Sequence, residues 1–455
     1  MKRLFRGGTV VDGARAYRAD VLTEGEKILR IAACITDDAD EVVDCAGLLL
    51  LPGFIDAHTH FDLDVCNTTT ADDFCSGSRA ALRGGTTTVI DFATPNKGES
   101  LRYGLDLWHK KAEHCACDYG FHMTIDDWNE SIEGELDEMF AEGITSFKMY
   151  MTYPAMMIGD KDMYHALTAL RKRGGICGVH CENSGVIDAL VAEKQAAQEN
   201  AVSCHPETRP DYLEAEAVAR LLRIAQAADT PIIIVHTTNA AALEEVSHAR
   251  DRGQTVYVET CPHYLTLDKS AYYHEDWLES AKFVCSPPLR TEADQEALWQ
   301  GLREGAVQTV STDHCSFTTE QKKAGRHSFT AIPGGMPGVE NRGEVVYTAG
   351  VAAGKIDLPT FVRALSENPA RLYGLYPRKG VLAEGSDADI VLYDPEAHHT
   401  ITAEGTASNC DYTPYEGFKT VGGIRQVYLR NALAVDNGAV QDVRGVYLKR
   451  GICEL

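Results

Sequence analysis

Long apolar runs are missing from this chain. None of its 455 residues lies in a stretch of the ~18 consecutive apolar residues that a membrane span requires, so no membrane partner is expected. The opening residues, MKRLFRGGTVVDG, lack the apolar segment of a secretory signal, and the cytoplasm is the expected compartment. An excess of basic residues is missing as well. The balance of 43 Lys+Arg against 67 Asp+Glu gives a net charge of −24, which offers nucleic acid no long-range attraction and removes it from the expected partners. Paired CxxC motifs are absent although there are 14 cysteines; Cys115 and Cys117 are close, and the rest are scattered as reduced thiols in a reducing compartment would be. No low-complexity tract or internal repeat appears. Hydrophobic residues at 44% and charged residues at 24% are ordinary for a globular chain with a large core.

The two ends differ in texture from the middle. Leu4–Val11, ended by Asp12-Gly13, and Lys27–Ala33 read as short strands, as do Ala388–Tyr393, Gly423–Leu429 and Val443–Leu448 near the other end. Between them, short apolar strands alternate with amphipathic helices. The strands are expected at Gly53–Ala57, Thr86–Phe92, Asp118–Met123, Ser146–Met149, Ile176–Val179, Pro231–Val235, Thr255–Val258 and Val307–Ser311. Helices are expected at Lys161–Arg173, Tyr212–Ala227 and Ala240–Asp251, among others. Eight βα units predict an α/β fold, a (β/α)8 TIM barrel over residues 52–380. The β-rich ends, 1–51 and 381–455, are expected to form one small β-sandwich domain.

Metal-competent side chains fall at the ends of these strands. His58 and His60 follow the first, Lys148 ends the fourth, His180 follows the fifth, His236 the sixth and Asp313 the eighth. The C-terminal ends of barrel strands share one rim, so six polar groups distant in sequence converge there. Alternation along a strand turns His58 and His60 to the same side. A lone histidine after a strand is ordinarily a hydrogen-bonded structural residue. Four histidines and an aspartate in barrel order point instead to a metal site. A protonated Lys148 would repel a cation. Burial and nearby positive charge favour its neutral amine, which can add CO2 to give an anionic carbamate able to bridge two metals.

The string PGFIDAHTHFD resembles the amidohydrolase superfamily, and within it the hydantoinase and dihydropyrimidinase family. So do GGTTTVIDF, SFKMYMTY, VHCEN, VHTTN, ETCPHYL, SPPLR, STDHCSF, PGVENR, NPARLYGLYPRKG, EGSDADIVLYDP and DYTPYEGF, in order from residue 52 to 418. The resemblance implies two divalent metals per chain, usually zinc. His58, His60 and Asp313 would hold one and His180 and His236 the other, with N6-carboxylated Lys148 bridging both. It also implies Tyr153 as the hydrogen-bond donor to the developing oxyanion and Asp313 as the proton carrier. The main chains at Ser286 and Gly334 would hold the substrate ring. The implied reaction opens a cyclic ureide or amide, and the implied assembly is a homotetramer. Without the resemblance, a packing aromatic is the alternative for Tyr153, and Ser286, before two prolines, reads better as a turn residue. His263 and His314 are expected in supporting roles.

One departure stands out: Ile332-Pro333-Gly334-Gly335 occurs where the family usually has Pro-Asn-Gly. Asp62–Asp73 and Pro154–Asp160 are the rim segments expected to shape specificity, and Met156-Met157-Ile158 could line a substituent pocket or simply pack. Among other readings, a dihydroorotase would carry Arg soon after HxH, where this chain has Phe61 and Asp62. An allantoinase-like enzyme is the nearer alternative. A non-catalytic scaffold related to the collapsin response mediator proteins would have lost metal-competent positions that are all present here.

Overall fold

A computed structural model describes residues 1–455. The barrel strands are Phe54–Thr59, Thr86–Ala93, Asp118–Thr124, Ser146–Tyr150, Ile176–His180, Ile232–Ile234, Val256–Thr260 and Thr309–Val310. They form one parallel sheet in sequence order. Nearly every residue in them is buried, as expected for strands covered by helices outside and packed side chains within. Each strand is the expected one, with its ends within two residues of those expected.

Closure is the weak point of this cylinder. The last strand is two residues long, and the ladder between it and the first strand reduces to a bridge at Thr59 and His314, where the His60 amide donates to the His314 carbonyl at 2.8 Å. Side chains close the remainder. Arg342, fully buried, donates from Nη1 to the carbonyls of Ile55 and Val310, at 2.8 and 3.0 Å, and from Nη2 to Thr86 Oγ1. Asp56 accepts from the Thr312 amide and hydroxyl at 3.1 and 2.7 Å. The seam is thus held below the rim by an arginine that lies beyond the last strand.

Two strand-to-helix turns share one device. His180 and His236 are each followed three positions later by an asparagine that caps the next helix. Asn183 accepts from the Val186 amide and Asn239 from the Ala242 amide, starting helices Ser184–Ala196 and Ala240–Asp251. The cap fixes where the turn ends, and so where each histidine leaves its strand.

The terminal segments form a nine-stranded mixed sheet, in which Leu49–Pro52 joins the N-terminal strands to Ile390–Asp394, Gly423–Leu429 and Ala432–Asp436. The sandwich is this single sheet curled upon itself. Phe5 and Tyr428 sit three strands apart, roughly 14 Å in a flat sheet, yet their ring centroids are 4.9 Å apart. Val443–Leu448, expected as another strand of this domain, does not join it. Instead it runs along the barrel's third strand, with Tyr447 bridged to Tyr119, and carries Arg450 inside to donate to Ser146 Oγ at 2.8 Å. Its pattern of apolar residues serves the barrel floor rather than the sheet. All 14 cysteines are free, and no helix is long and apolar enough to cross a membrane.

Replacing Arg342 with Met keeps the packing and removes the donors that tie the first and eighth strands. We expect a loss of about 3 kcal/mol in unfolding free energy. Unfolding in denaturant measures it, and a variant within about 0.5 kcal/mol of wild type would contradict the seam role.

Candidate active site

A cavity of about 480 Å³ opens at the C-terminal rim of the barrel. His58, His60, Lys148, Tyr153, His180, His236, Ser286, Asp313 and Gly334 all border it. Every residue expected to bind metal, carry the proton, donate to the oxyanion or hold the ring therefore borders one chamber.

Lys148 is its centre. The side chain is buried, its nearest polar neighbour is His58 Nε2 at 3.3 Å, and no carboxylate lies within ion-pairing distance. Burial pushes its ammonium below the ordinary lysine value, against the opposing pull of Asp313 and Glu259. Asp313 Oδ1 stands 3.1 Å from Nε2 of both His58 and His60. Burial alone would raise this carboxyl, but the two imidazoles outweigh it and hold it well below the usual carboxylate range. Ligand-competent atoms of His58, His236 and Asp313 lie within 4.8 Å of one another, and the His180 and His236 ring centroids are 4.5 Å apart.

These side chains are held from behind. His58 Nδ1 is 2.6 Å from Glu259 Oε1, which also accepts from the His236 amide at 3.2 Å. His180 Nε2 is 2.7 Å from Glu182 Oε2, which Arg209 holds at 2.6 Å. Each carboxylate engages one ring nitrogen and leaves the other for a ligand, the arrangement that orients metal-binding histidines. His236 Nε2 is buried with no hydrogen-bond partner, an orphan that a metal would satisfy. Four imidazoles, one carboxylate and an unpaired buried amine fit a divalent ion of zinc's preferences, and less well a hard ion such as calcium.

Three of the site residues have left-handed backbone. Tyr153, His236 and Asp313 have φ of 67°, 37° and 49°, left-handed values that cost non-glycine residues on the order of 1–3 kcal/mol each. Tyr153 lies beside Ser286 and under the Arg209 guanidinium, and burial raises its hydroxyl pKa, so it stays a donor. Glycine is needed at 335, where φ is 150° and a Cβ would lie 2.4 Å from the Cys315 carbonyl. At Gly334 a Cβ would meet nothing within 4 Å, so the missing side chain there adds space to the cavity.

His314 does not border the cavity. It is bound to Asp72 at 3.0 Å and accepts from the Gly338 and Val339 amides, a supporting role as expected. His263 does border it, with Nε2 buried and unpartnered and its pKa lowered by burial to about 4. Of the Met156-Met157-Ile158 run, Met156 faces the cavity, Met157 is exposed and Ile158 packs in the core. Glu182, Arg209 and Glu259 were not foreseen. Glu182 stands inside VHCEN and Glu259 inside ETCPHYL, so a carboxylate beside a rim histidine was the available signal.

The amidohydrolase family model matches residues 49–438. The chain belongs to the amidohydrolase family. A D-hydantoinase of Streptomyces coelicolor is 42% identical to this amidohydrolase, over 100% of this chain and 99% of the relative. A D-hydantoinase of Geobacillus stearothermophilus is 41% identical over 96% and 93%. Among solved structures, the dihydropyrimidinase from Brevibacillus agri NCHU1002 superposes with a TM-score of 0.98 at 41% identity, covering 100% of this chain and 99% of that one. The L-hydantoinase from Arthrobacter aurescens gives 0.89 at 26% identity, covering 98% and 99%.

If the paired carboxylates orient metal-binding histidines in this amidohydrolase, Glu259→Gln should weaken divalent metal affinity by about 10- to 100-fold. Competition against a chelator, read by metal analysis, measures it. Wild-type affinity in the variant would show that Glu259 serves the fold alone.

Proposed function

We propose that this amidohydrolase opens the ring of a hydantoin, a dihydropyrimidine or a similar cyclic ureide by hydrolysis, giving an N-carbamoyl amino acid. The observation that carries the reading is the convergence of Lys148, four histidines and Asp313 on one small cavity. The full-length likeness to hydantoinases supports it.

His58, His60 and Asp313 would hold one divalent ion, His180 and His236 a second, both most simply zinc, with Lys148 shared between them as a carbamate. Carboxylation joins the neutral Lys148 amine to the carbon of CO2 and releases one proton. When bound, the metal pair supplies Lewis-acid polarisation of a carbonyl and lowers the pKa of water. Asp313 accepts the proton from the attacking water and delivers it to the departing ring nitrogen. One C–O bond forms, one C–N bond breaks, and the elements of water are shared between the new carboxylate and the amide nitrogen. Tyr153 donates to the oxyanion as it develops. The main chains at Ser286 and Gly334 orient the ring. The resemblance also supports a homotetramer, and the free cysteines support a reducing compartment, which we take to be the cytoplasm.

Apolar side chains favour a hydantoin with an apolar substituent over allantoin. Leu63, Val65, Met156, Ile187, Val191 and Phe329 line the cavity and would give an apolar substituent a better surface than a polar ureido group.

Metal-replete protein should therefore open the ring of dihydrouracil, hydantoin or 5-phenylhydantoin, with kcat/KM highest for a substituted hydantoin and lower for allantoin. Turnover of allantoin alone would overturn the substrate assignment, and no turnover of any of the four by metal-loaded protein would overturn the reaction. Tyr153→Phe should lower kcat by about 10²- to 10³-fold with unchanged metal content, the scale of one lost oxyanion donor. Near-normal kcat in that variant would return Tyr153 to a packing role.

A further inference from the structure

Behind the loops that would hold the ring lies a second buried lysine. Lys322 belongs to the short helix Thr319–Ala324, started by a capping box between Thr318 and Gln321. The lysine is fully buried. Its Nζ donates to three main-chain carbonyls: Val284 at 3.1 Å, Pro333 at 2.7 Å and Gly335 at 2.9 Å. An ammonium has three hydrogens, and all three are used. No carboxylate lies within ion-pairing distance, so these carbonyl dipoles and the face of Phe317 are its electrostatic support.

The three carbonyls belong to two loops, one following the seventh barrel strand and the other the eighth. A single main-chain hydrogen bond joins them directly, from the Gly335 amide to the Val284 carbonyl at 2.8 Å. Pro333 and Gly335 flank Gly334, and Val284 lies two residues before Ser286. Consecutive glycines leave the backbone unusually free, and no side chain at 334 anchors it. The lysine supplies the restraint from outside the loop.

We propose that Lys322 is a positioning residue for the substrate ring, clamping the 284–286 and 333–335 main chains so that the groups at Ser286 and Gly334 face the cavity at a fixed spacing. This rests on the reading that those two main chains hold the ring. The titratable groups facing the ammonium are Cys66, Cys285, Cys315, Cys410 and His205. Burial pushes the Cys285 and Cys410 thiols up to about 12, Cys315 well above the ordinary thiol value and His205 down to about 3. These four are therefore neutral at pH 7 and bring no opposite charge. Burial also lowers the Lys322 pKa to about 8, so the fully protonated clamp is present below that pH and is lost above it.

The test compares metal-replete wild type with Lys322→Met by metal analysis, steady-state kinetics on the best cyclic substrate, and hydrogen–deuterium exchange. We expect equal metal content, KM raised about tenfold and kcat within about twofold, the signature of lost ground-state positioning. The 284–286 and 334–336 amides should exchange faster, with 153–158 unchanged. Wild-type KM should rise from pH 7 to about pH 9.5, while that of the variant stays flat. Unchanged exchange at both loops would overturn the clamp. Faster exchange with unchanged KM would instead overturn the ring-holding reading of Ser286 and Gly334, and the positioning role with it. If Lys322→Met does not fold, exchange on wild type at both pH values decides. After correction for intrinsic rates, loosening confined to the two loops supports the clamp, and uniform behaviour across all three segments overturns it.

Discussion

A lysine ammonium in a barrel mouth, out of water and without a carboxylate beside it, is an expensive arrangement. Even after relaxation, removing such a charge from solvent costs several kcal/mol unless it is paired. Lys148 meets this condition with an imidazole nitrogen at 3.3 Å and the faces of Phe92 and Tyr150, and with no ion pair. The rest of the site follows from it. Burial drives the amine toward its neutral form, which can take up CO2. A carbamate there would turn a repulsive centre into an anionic one, near His236, whose Nε2 is otherwise unsatisfied. The two buried lysines use different means: Lys322 is matched by three carbonyls, whereas Lys148 has one imidazole nitrogen and the faces of Phe92 and Tyr150.

Rigidity around that centre comes from ordinary local chemistry. Asparagine caps place His180 and His236, carboxylates fix their rings or those beside them, and Arg342 with Asp56 closes the seam on which His58, His60 and Asp313 stand. The left-handed backbone at Tyr153, His236 and Asp313 is tolerated because the surrounding barrel leaves no alternative. A reaction that must move one proton between water and a leaving nitrogen depends on such fixed distances.

Much of this could be read from the sequence, for identifiable reasons. Strand ends in a barrel share one rim, so residues from His58 to Asp313 could be gathered from strand order alone. Parallel strands buried on both faces are continuous apolar runs, and they were found within a few residues. Where the reading fell short, the signal was not local. Val443–Leu448 has the composition of a strand, and nothing in it says whether its partner is the terminal sheet or the barrel floor. Glu182 and Glu259 lay inside recognised strings, yet their contacts with His180 and His58 depend on which way each ring turns. Lys322 stood in a polar stretch, QKKAGR, indistinguishable from a solvated helix until the fold buried one of its two adjacent lysines and left Lys323 outside.

The chemistry of the site turns on Lys148 becoming an anion. Apo-protein reconstituted with zinc and 13C-bicarbonate, then examined by 13C NMR, tests it most directly. Wild type should show a carbamate carbon resonance that is absent from Lys148→Ala reconstituted in parallel. Zinc-loaded, active wild type without that resonance would contradict it.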